Sequence, residues 1–594
     1  MKHSHGVITM FAVLVISTAI GPLTINAQSV TTPNTYTKKS LKEHRTKPKK
    51  SATQRNASDW WKHAVVYEIY PRSYADSDND GTGDLKGIID HLDHLQQLGV
   101  DAIWLTPMFP SPQVDFGYDV SDYQAVDPRY GNLADLDRLV SEGSKRGIKV
   151  VLDLVINHSS DQHAWFRASR SSRTSLYRDF YIWRDGKAPG QPPNNWTSIF
   201  GGSSWKFDAT TNQWYHHQFY PEQPDLNWRN PKVEKAMFDV ARWWFNRGIY
   251  GFRLDAVDTM FEDPELRDNP TLPEKDAYGD QRQQRIYNVL MPEVHAALQR
   301  LRLVTDRYPG RVLIGETWTS KPDELVAYYG PRNNELHMPM YLELTKKPAL
   351  SASEFRPRIE AVESNSVGGW PTFALSNHDI RRSADRYTPP GVNSDDVAKL
   401  IGALLITLRG TPVLYYGEEL GMLNNDPKRV EDVQDVIGRK GWPNEKGRDG
   451  ERTPMQWNGS ANSGFNNGTK PWLPVGPDYA TRNVASEQAD PNSVLNWYRS
   501  LIRLRREHPA FSGDYVSVNR NDPNVLGYLR VSPKGTALVL LNMSPQPAQV
   551  SLADADVKQL RSVRLARGAQ QEASAVRLES FGVFIAEVDR AAAP

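Results

Sequence analysis

The sequence predicts an α/β fold: a (β/α)8 barrel of the TIM type, a small domain inserted after its third strand, and a C-terminal antiparallel β-sandwich. Three observations carry that reading. From Trp60 onward short apolar runs alternate with longer segments of helical spacing, eight such runs occur before residue 511, and beyond it the texture changes to short β-like runs separated by Gly, Pro, Asn and Asp. Alternation of strands with helices calls for a parallel sheet, and eight repeats allow that sheet to close. An open doubly wound sheet is the structural alternative, but no glycine-rich phosphate loop follows the first strand.

The first elements precede the barrel. Lys2 is followed by the apolar run VITMFAVLVISTAI and then by PLTINAQS, with a small residue suited to cleavage after Ala27. Residues 1–27 therefore read as a secretory signal peptide, and the chain as exported, periplasmic or extracellular. The run is shorter than the roughly 20 residues of a membrane span; an uncleaved anchor is the alternative. Residues 28–58, including TKKSLKEHRTKPKKSATQRNAS, are polar and basic with almost nothing to bury, and read as a disordered linker. Its cations are those of a solvated tail, with contact to a cell envelope as the alternative.

In the barrel, VVYEIYP supplies the first strand and DLKGIIDHLDHLQQLG the helix after it, with Leu85, Ile88, Leu92 and Leu95 on one face. AIWLTPM and ADLDRLVSEGSKRG form the second unit, and KVVLDLVINH the third strand. A Trp-, Pro- and Gly-rich stretch ending near QPDLNW then breaks the rhythm, which assigns residues 159–227 to the inserted domain. The rhythm resumes with KVEKAMFDVARWWFNRG, GFRLDAV, a long helix through HAALQRLRLV, RVLIGETW, a weaker run at ELHMPMY, WPTFALSNHD, the helix DDVAKLIGALLITLRG and TPVLYYGEE. The barrel thus takes residues 59–158 and 228–510. After the helix around VLNWYRSLIRLRREHPA, the runs VLGYLRV, TALVLLNM, AQVSL, SVRLA and FGVFIAEV make a C-terminal domain of residues 511–594.

The 71 Lys and Arg nearly cancel the 70 Asp and Glu, so no global field draws this protein to nucleic acid or an acidic surface, and a neutral partner fits best. Its 17 Trp and 25 Tyr serve as core or as flat platforms for sugar rings, and composition leaves both open. No cysteine is present, which excludes disulfides, thiol catalysis and thiolate metal sites. No second apolar segment enters a membrane, and nothing in the sequence specifies an oligomeric state.

Barrel enzymes place their working groups at the C-terminal ends of strands. Here Asp255 closes GFRLD, Glu316 closes VLIGE and Asp379 closes ALSNHD, on the fourth, fifth and seventh strands. Any one of them alone reads as a structural cap. Grouped carboxylates repel and lose hydration unless their charges are used, so three together, with Arg253 and His378 alongside, read as catalytic. They suit glycoside hydrolysis with retention, in which one carboxylate attacks the anomeric carbon and a second carboxylic acid protonates the leaving oxygen. Arg253 lies two residues before Asp255 on a strand, points to the same side and favours the ionised form, which makes Asp255 the nucleophile. Glu316 is assigned as acid and base, its proton favoured by apolar neighbours and nearby negative charge. Asp379, with His378 as a neighbouring donor, suits sugar hydroxyls and an oxocarbenium-like transition state.

The stretch DSDNDGTGDLKG sets Asp76, Asp78, Asp80 and Asp84 along a turning chain eased by Gly81 and Gly83, a source of several hard oxygens for one divalent cation. An EF-hand needs a bidentate Glu at its twelfth loop position, and here that position is Gly87. The remaining alternative to a metal clip is a solvated acidic turn.

These residues resemble those of the glycoside hydrolase family that contains α-amylases and α-glucosidases. DLVINH (Asp153 to His158), GFRLDAVD (Gly251 to Asp258), IGETW (Ile314 to Trp318) and SNHD (Ser376 to Asp379) match its motif regions in order. QPDLN (Gln223 to Asn227) and RDGERTPMQW (Arg448 to Trp457) are similar to the branch of oligo-1,6-glucosidases, α-glucosidases and maltases. The resemblance, from about Trp60 to the C-terminus, implies the barrel, the inserted domain and the C-terminal β-domain. It also implies one structural cation, Ca²⁺ in preference to Mg²⁺, on Asp76, Asp78, Asp80, the carbonyl of Thr82 and Asp84, with no cofactor for catalysis.

For the substrate, the resemblance implies that Tyr118 stacks on a terminal glucose and His158 bonds its 6-hydroxyl. Asp115 with Arg452 would close the far side, making a dead-end pocket and exo action on short chains. Phe200, Phe219 and Gln223 match pocket-lining positions. In this branch a Val after the nucleophile goes with α-1,6 enzymes and an Ala or Thr with α-1,4 enzymes, so Ala256 leans towards maltose-like substrates. Sucrose isomerases of the branch carry an RLDRD segment that PRIEAVESNSVGGWP lacks, which disfavours isomerisation. Two rivals use the same scaffold: a transglucosylase or trehalose-forming mutase with the same acids, and a non-catalytic, membrane-tethered relative, which would be expected to lose them.

Overall fold

The computed structural model describes residues 59–319, 321–365 and 368–591; the expected signal peptide and basic linker lie outside the described residues. No helix among the described residues is long and apolar enough to cross a membrane.

Eight parallel strands close into a barrel in the order of the chain: Val66–Ile69, Ala102–Leu105, Lys149–Val155, Gly251–Asp255, Val312–Gly315, Met338–Tyr341, Thr372–Phe373 and Thr411–Tyr415. Each falls in an expected run, the weak sixth included. Strand alternation sorts their side chains into two layers. Val66, Ala102, Trp104, Val151, Val312, Ile314, Met338, Met340 and Val413 form one cluster inside the barrel, while Tyr67, Ile103, Leu105, Val150 and Leu152 join the core under the helices. Towards the C-terminal end the inward positions become charged. Glu68 follows Val66, Asp153 follows Val151 and Arg253 follows Gly251, and the register sets Glu68 beside Trp104 and Asp153 beside Arg253. An apolar plug thus underlies a buried polar layer.

Two helical readings are corrected. DLKGIIDHLDHLQQLG forms two helices, Leu85–Asp90 and Leu92–Leu98, because His91 between them leaves helical geometry at φ −110° and ψ 11°, while its ring bonds the Gly87 carbonyl at 2.9 Å. Leu85, Ile88, Leu92 and Leu95 are all buried nonetheless. The long helix expected before RVLIGETW shortens to Glu293–Thr305, preceded by an antiparallel hairpin of Thr271–Lys275 and Gln281–Gln283. Pro264, Pro270 and Pro273 deny that segment helical hydrogen bonds.

After the third barrel strand, Trp183–Arg184, Gln213–His216 and Trp205–Asp208 form a small three-stranded sheet over Ile182, Trp196 and Trp205. The hairpin segment docks on it: Trp196 donates to the Arg267 carbonyl at 2.8 Å, and Asn195 exchanges bonds with the Asn269 backbone. Together they form one wall above the barrel mouth.

The C-terminal unit is antiparallel throughout: Asp514–Val518, Val525–Ser532, Gly535–Asn542, Ala548–Ser551, Val557–Gln571 and Ala575–Arg590 make one six-stranded hydrogen-bonded sheet. The last strand pairs along one edge with residues 535–542 and 548–551 and along the other with 557–571. Leu529, Leu538, Leu540, Val550, Val557, Val576 and Phe584 share one cluster, so the sheet curls over a core of its own. Its first strand, Asp514–Val518, went unanticipated.

Candidate active site

Asp255 ends the fourth barrel strand, and its position two residues after Arg253 puts both on the interior face. The fully buried Arg253 guanidinium organises the mouth. Its Nη1 donates to Asp255 Oδ1 at 2.6 Å and to both Asp153 oxygens at 3.0 Å, and its Nη2 lies 2.9 Å from Glu316 Oε2. The Ala256 N–H donates to the same Glu316 oxygen at 3.0 Å, and the Trp318 indole N–H to Oε1 at 3.1 Å. Asp255 and Glu316, from adjacent strands, are therefore held on neighbouring nitrogens of one cation.

Arg253 does not leave Asp255 a simple anion, as the sequence reading expects. Burial raises the Asp255 carboxyl well above the usual carboxylate range, Arg253 opposes this, and Glu316 and Asp153 raise it further. Burial likewise pushes Asp153 up to about 6 against the pull of Arg253. One guanidinium shared among three carboxyls cannot neutralise them all. Asp255 and Asp153 thus stand above the usual carboxylate range although each touches the guanidinium.

Asp379 lies in the opposite state. Burial works against its charge, but His378, Arg448 and Arg452 hold it well below the usual range. Arg448 Nη1 and Arg452 Nη2 donate to Asp379 Oδ1 at 2.9 and 2.8 Å, and His378 Nε2 lies 3.2 Å from Oδ2. Tyr118 stacks on His378 with ring centroids 5.2 Å apart, its hydroxyl 2.6 Å from His378 Nε2 and donating to Asp153 at 3.1 Å.

One expected pairing is corrected. Asp115 is held by Arg448 Nη2 at 2.7 Å, while Arg452 donates to the His378 carbonyl at 2.7 Å and to Asp379. Arg448 spans Asp115, Asp379 and Asp435, with Asp435 Oδ2 2.8 Å from its Nε and held at about 2 because the guanidinium overcomes burial. RDGERTPMQW carries both arginines in irregular backbone, where no periodicity says which one faces the mouth. Gln223 donates to Asp115 Oδ2 at 3.2 Å and lies 3.1 Å from His158 Nε2, which contacts the Tyr118 carbonyl at 3.0 Å. Phe219 packs 5.0 Å from His158, and Phe200 5.6 Å from Phe219 and from the Arg448 guanidinium. The predicted pocket residues are thus brought together, with Arg448, Asp153, Asp435 and Glu68 added.

The acidic loop follows the first barrel strand on the same face. Carboxylate oxygens of Asp76, Asp78 and Asp84 lie within 4.8 Å of one another, a donor set that fits a hard cation. Asp80 stands outside this group: exposed, it accepts the Thr82 N–H at 2.7 Å, and Thr82 lies between it and Asp84. Gly81 has φ +96°, and a Cβ there would meet the Lys470 carbonyl oxygen at 2.7 Å.

The family model described as alpha amylase, catalytic domain, matches residues 68–514. A probable alpha-glucosidase of Rhizobium meliloti (strain 1021) is 41% identical over 505 residues, 83% of this chain and 91% of that protein. An oligo-1,6-glucosidase of Parageobacillus thermoglucosidasius is 39% identical over 526 residues, 83% of this chain and 92% of that protein. Among solved structures, an alpha-glucosyl transfer enzyme, XgtA, superposes with a TM-score of 0.83 at 39% identity, over 89% of this chain and 99% of that one.

Proposed function

The chain belongs to the alpha-amylase catalytic-domain family of glycoside hydrolases, and from that premise we propose that it is a retaining, exo-acting α-glucosidase that releases terminal glucose, α-1,4-linked by preference, from maltose and short oligosaccharides. The observation that carries this is Arg253 binding Asp255 and Glu316 beneath a pocket whose end is closed by Asp115, Arg448 and Asp379. A charged wall there leaves room for a chain end and not for a chain passing through.

In the first step Asp255 attacks the anomeric carbon, the glycosidic bond breaks, and its oxygen takes the proton of Glu316. In the second, Glu316 takes a proton from water, whose oxygen displaces Asp255 and leaves glucose with its original configuration. Asp379, His378 and His158 hold sugar hydroxyls, and Tyr118 supports the ring. The acidic loop would hold a structural Ca²⁺ on Asp76, Asp78 and Asp84, with Asp80 and the Thr82 carbonyl as further oxygens close by in the sequence, and would take no part in the chemistry. The N-terminal run supports export to the periplasm or beyond.

A glucosyl-enzyme of this kind passes its sugar to an acceptor hydroxyl as readily as geometry allows, and the alpha-glucosyl transfer enzyme among the relatives favours transglucosylation as the second reading. Proton NMR of the protein with maltose, and separately with isomaltose, decides between them. Early α-glucose from maltose is expected, with isomaltose slower. Early β-glucose in excess of what the reducing end of maltose supplies overturns retention, and accumulation of a new disaccharide in place of glucose overturns hydrolysis. Asp255→Asn is expected to lower turnover by about 10³-fold or more with its thermal unfolding unchanged.

A further inference from the structure

His378 is surrounded by acceptors. Glu68, fully buried on the first barrel strand, places Oε1 2.6 Å from His378 Nδ1 and 3.3 Å from its backbone nitrogen, while Oε2 has no partner among the described residues. On the other side of the ring, Nε2 faces Tyr118 Oη at 2.6 Å and Asp379 Oδ2 at 3.2 Å. Tyr118 has one hydroxyl proton, and it goes to Asp153 at 3.1 Å, which leaves the phenolic oxygen an acceptor. Asp379, bonded by Arg448 and Arg452, is an acceptor as well. Acceptors at both ring nitrogens call for protons on both; burial raises the Glu68 carboxyl, and its bond to His378 works against that rise.

We propose that Glu68 is a positioning residue of this site: it holds His378 as an imidazolium turned onto Asp379, so that the glucose pocket presents a fixed cation through the neutral pH range. Tyr70 stacks on the ring at 6.2 Å and Trp104 meets it edge-on at 6.0 Å. The charges that act on the ring come from every side: Glu68 on the first strand, Asp153 on the third, Arg253 on the fourth, Asp379 beside it, Arg452 on its carbonyl and Arg448 through Asp379. Burial disfavours the cation, but Asp379 and Glu68 outweigh it and push the imidazole up to about 9. An amide at position 68 accepts the Nδ1 proton equally well in shape and lacks the charge that keeps Nε2 protonated. A neutral ring turns Nε2 from a donor to an acceptor, which alters what Asp379 and a sugar hydroxyl meet there.

The test is ¹⁵N NMR of the full chain labelled at histidine, with His378 assigned by its loss in His378→Asn. In the wild type both ring nitrogens are expected to remain protonated past pH 8, and in Glu68→Gln the midpoint is expected to fall by at least one pH unit. A wild-type ring that is neutral at pH 7.5, or a midpoint unmoved in Glu68→Gln, overturns the proposal. If Glu68→Gln does not fold, Glu68→Asp, which withdraws the charge by one methylene, is expected to lower the midpoint, and an equal midpoint overturns it. The kinetic arm rests on the proposed activity: the wild-type to Glu68→Gln ratio of kcat/KM for maltose is expected to rise at least threefold between pH 6 and pH 8.5, and a constant ratio overturns the positioning role. Should the protein fail to hydrolyse maltose at all, the activity falls while the NMR still decides the charge of His378.

Discussion

Ala256, next to the proposed nucleophile, adopts a left-handed conformation at φ 48° and ψ 42°, which costs an L-residue roughly 1 kcal/mol. The bend turns its N–H onto Glu316 Oε2 at 3.0 Å, so one strained residue links the nucleophile's strand to the acid. A β-branched side chain suffers more in this region and also fills space beside Asp255. Ala256→Val is therefore expected to lower thermal stability and to reduce the maltose-to-isomaltose ratio of kcat/KM by about tenfold, the range a single small side chain commands. Steady-state rates on the two sugars check this, and an unchanged ratio removes Ala256 from linkage choice. Arg253 was legible in advance because a period of two ties it to Asp255, whereas Asp153 and Glu68, also on strands, join the site only through neighbouring strands. Arg448 was not legible, because it and Arg452 lie in a loop where only tertiary contacts select between them.

The loop from Asp76 to Asp84 was legible as an acidic turn whose carboxylates gather on one another; what it braces was not. It is tied to a distant segment: Asp76 N–H donates to the Phe465 carbonyl at 2.9 Å, Asn467 N–H to the Asn79 side-chain Oδ1 at 2.7 Å, and Trp472 N–H to the Gly81 carbonyl at 2.9 Å. The turn just before it supports the arginine segment, with Met455 N–H donating to the Ser73 carbonyl at 2.8 Å and the Trp457 indole to the Tyr74 carbonyl at 2.8 Å. Three clustered carboxylates repel when no cation lies between them, so the proposed ion would stabilise this brace and the brace the ion's site. Removing divalent cations with a chelator is expected to lower Tm by several degrees, with the initial rate at 25 °C falling less than twofold, and added Ca²⁺ to restore both. A Tm that ignores the chelator returns the loop to a solvated acidic turn, and a rate that collapses while Tm stays fixed makes the ion catalytic.

At the scale of the whole molecule, the change of texture near Phe511 marks where the sheet begins and hides how tightly it is joined to the barrel. Tyr528, Ala537, Val539, Leu541, Val583 and Ile585 belong to the same apolar cluster as the barrel's outer layer and the helices Ser394–Thr407 and Val494–Glu507. A buried guanidinium adds a second join. Arg530 donates across the boundary to the Thr407 carbonyl at 2.6 Å, and within the C-terminal unit to the carbonyls of Phe511 and Gly513 at 2.8 Å. The bond to Thr407 links residues more than a hundred positions apart, and no local pattern announces it. A boundary this apolar does not open before the units on either side unfold, since exposing it costs about 25 cal/mol for each Å². Scanning calorimetry is therefore expected to show one transition for the chain. Arg530→Met leaves three buried carbonyls without their donor, which costs on the order of 3 kcal/mol, and is expected to lower that single transition without splitting it. Two resolved peaks in the wild type would show instead that barrel and sheet unfold as separate units, and that the shared cluster does not couple them.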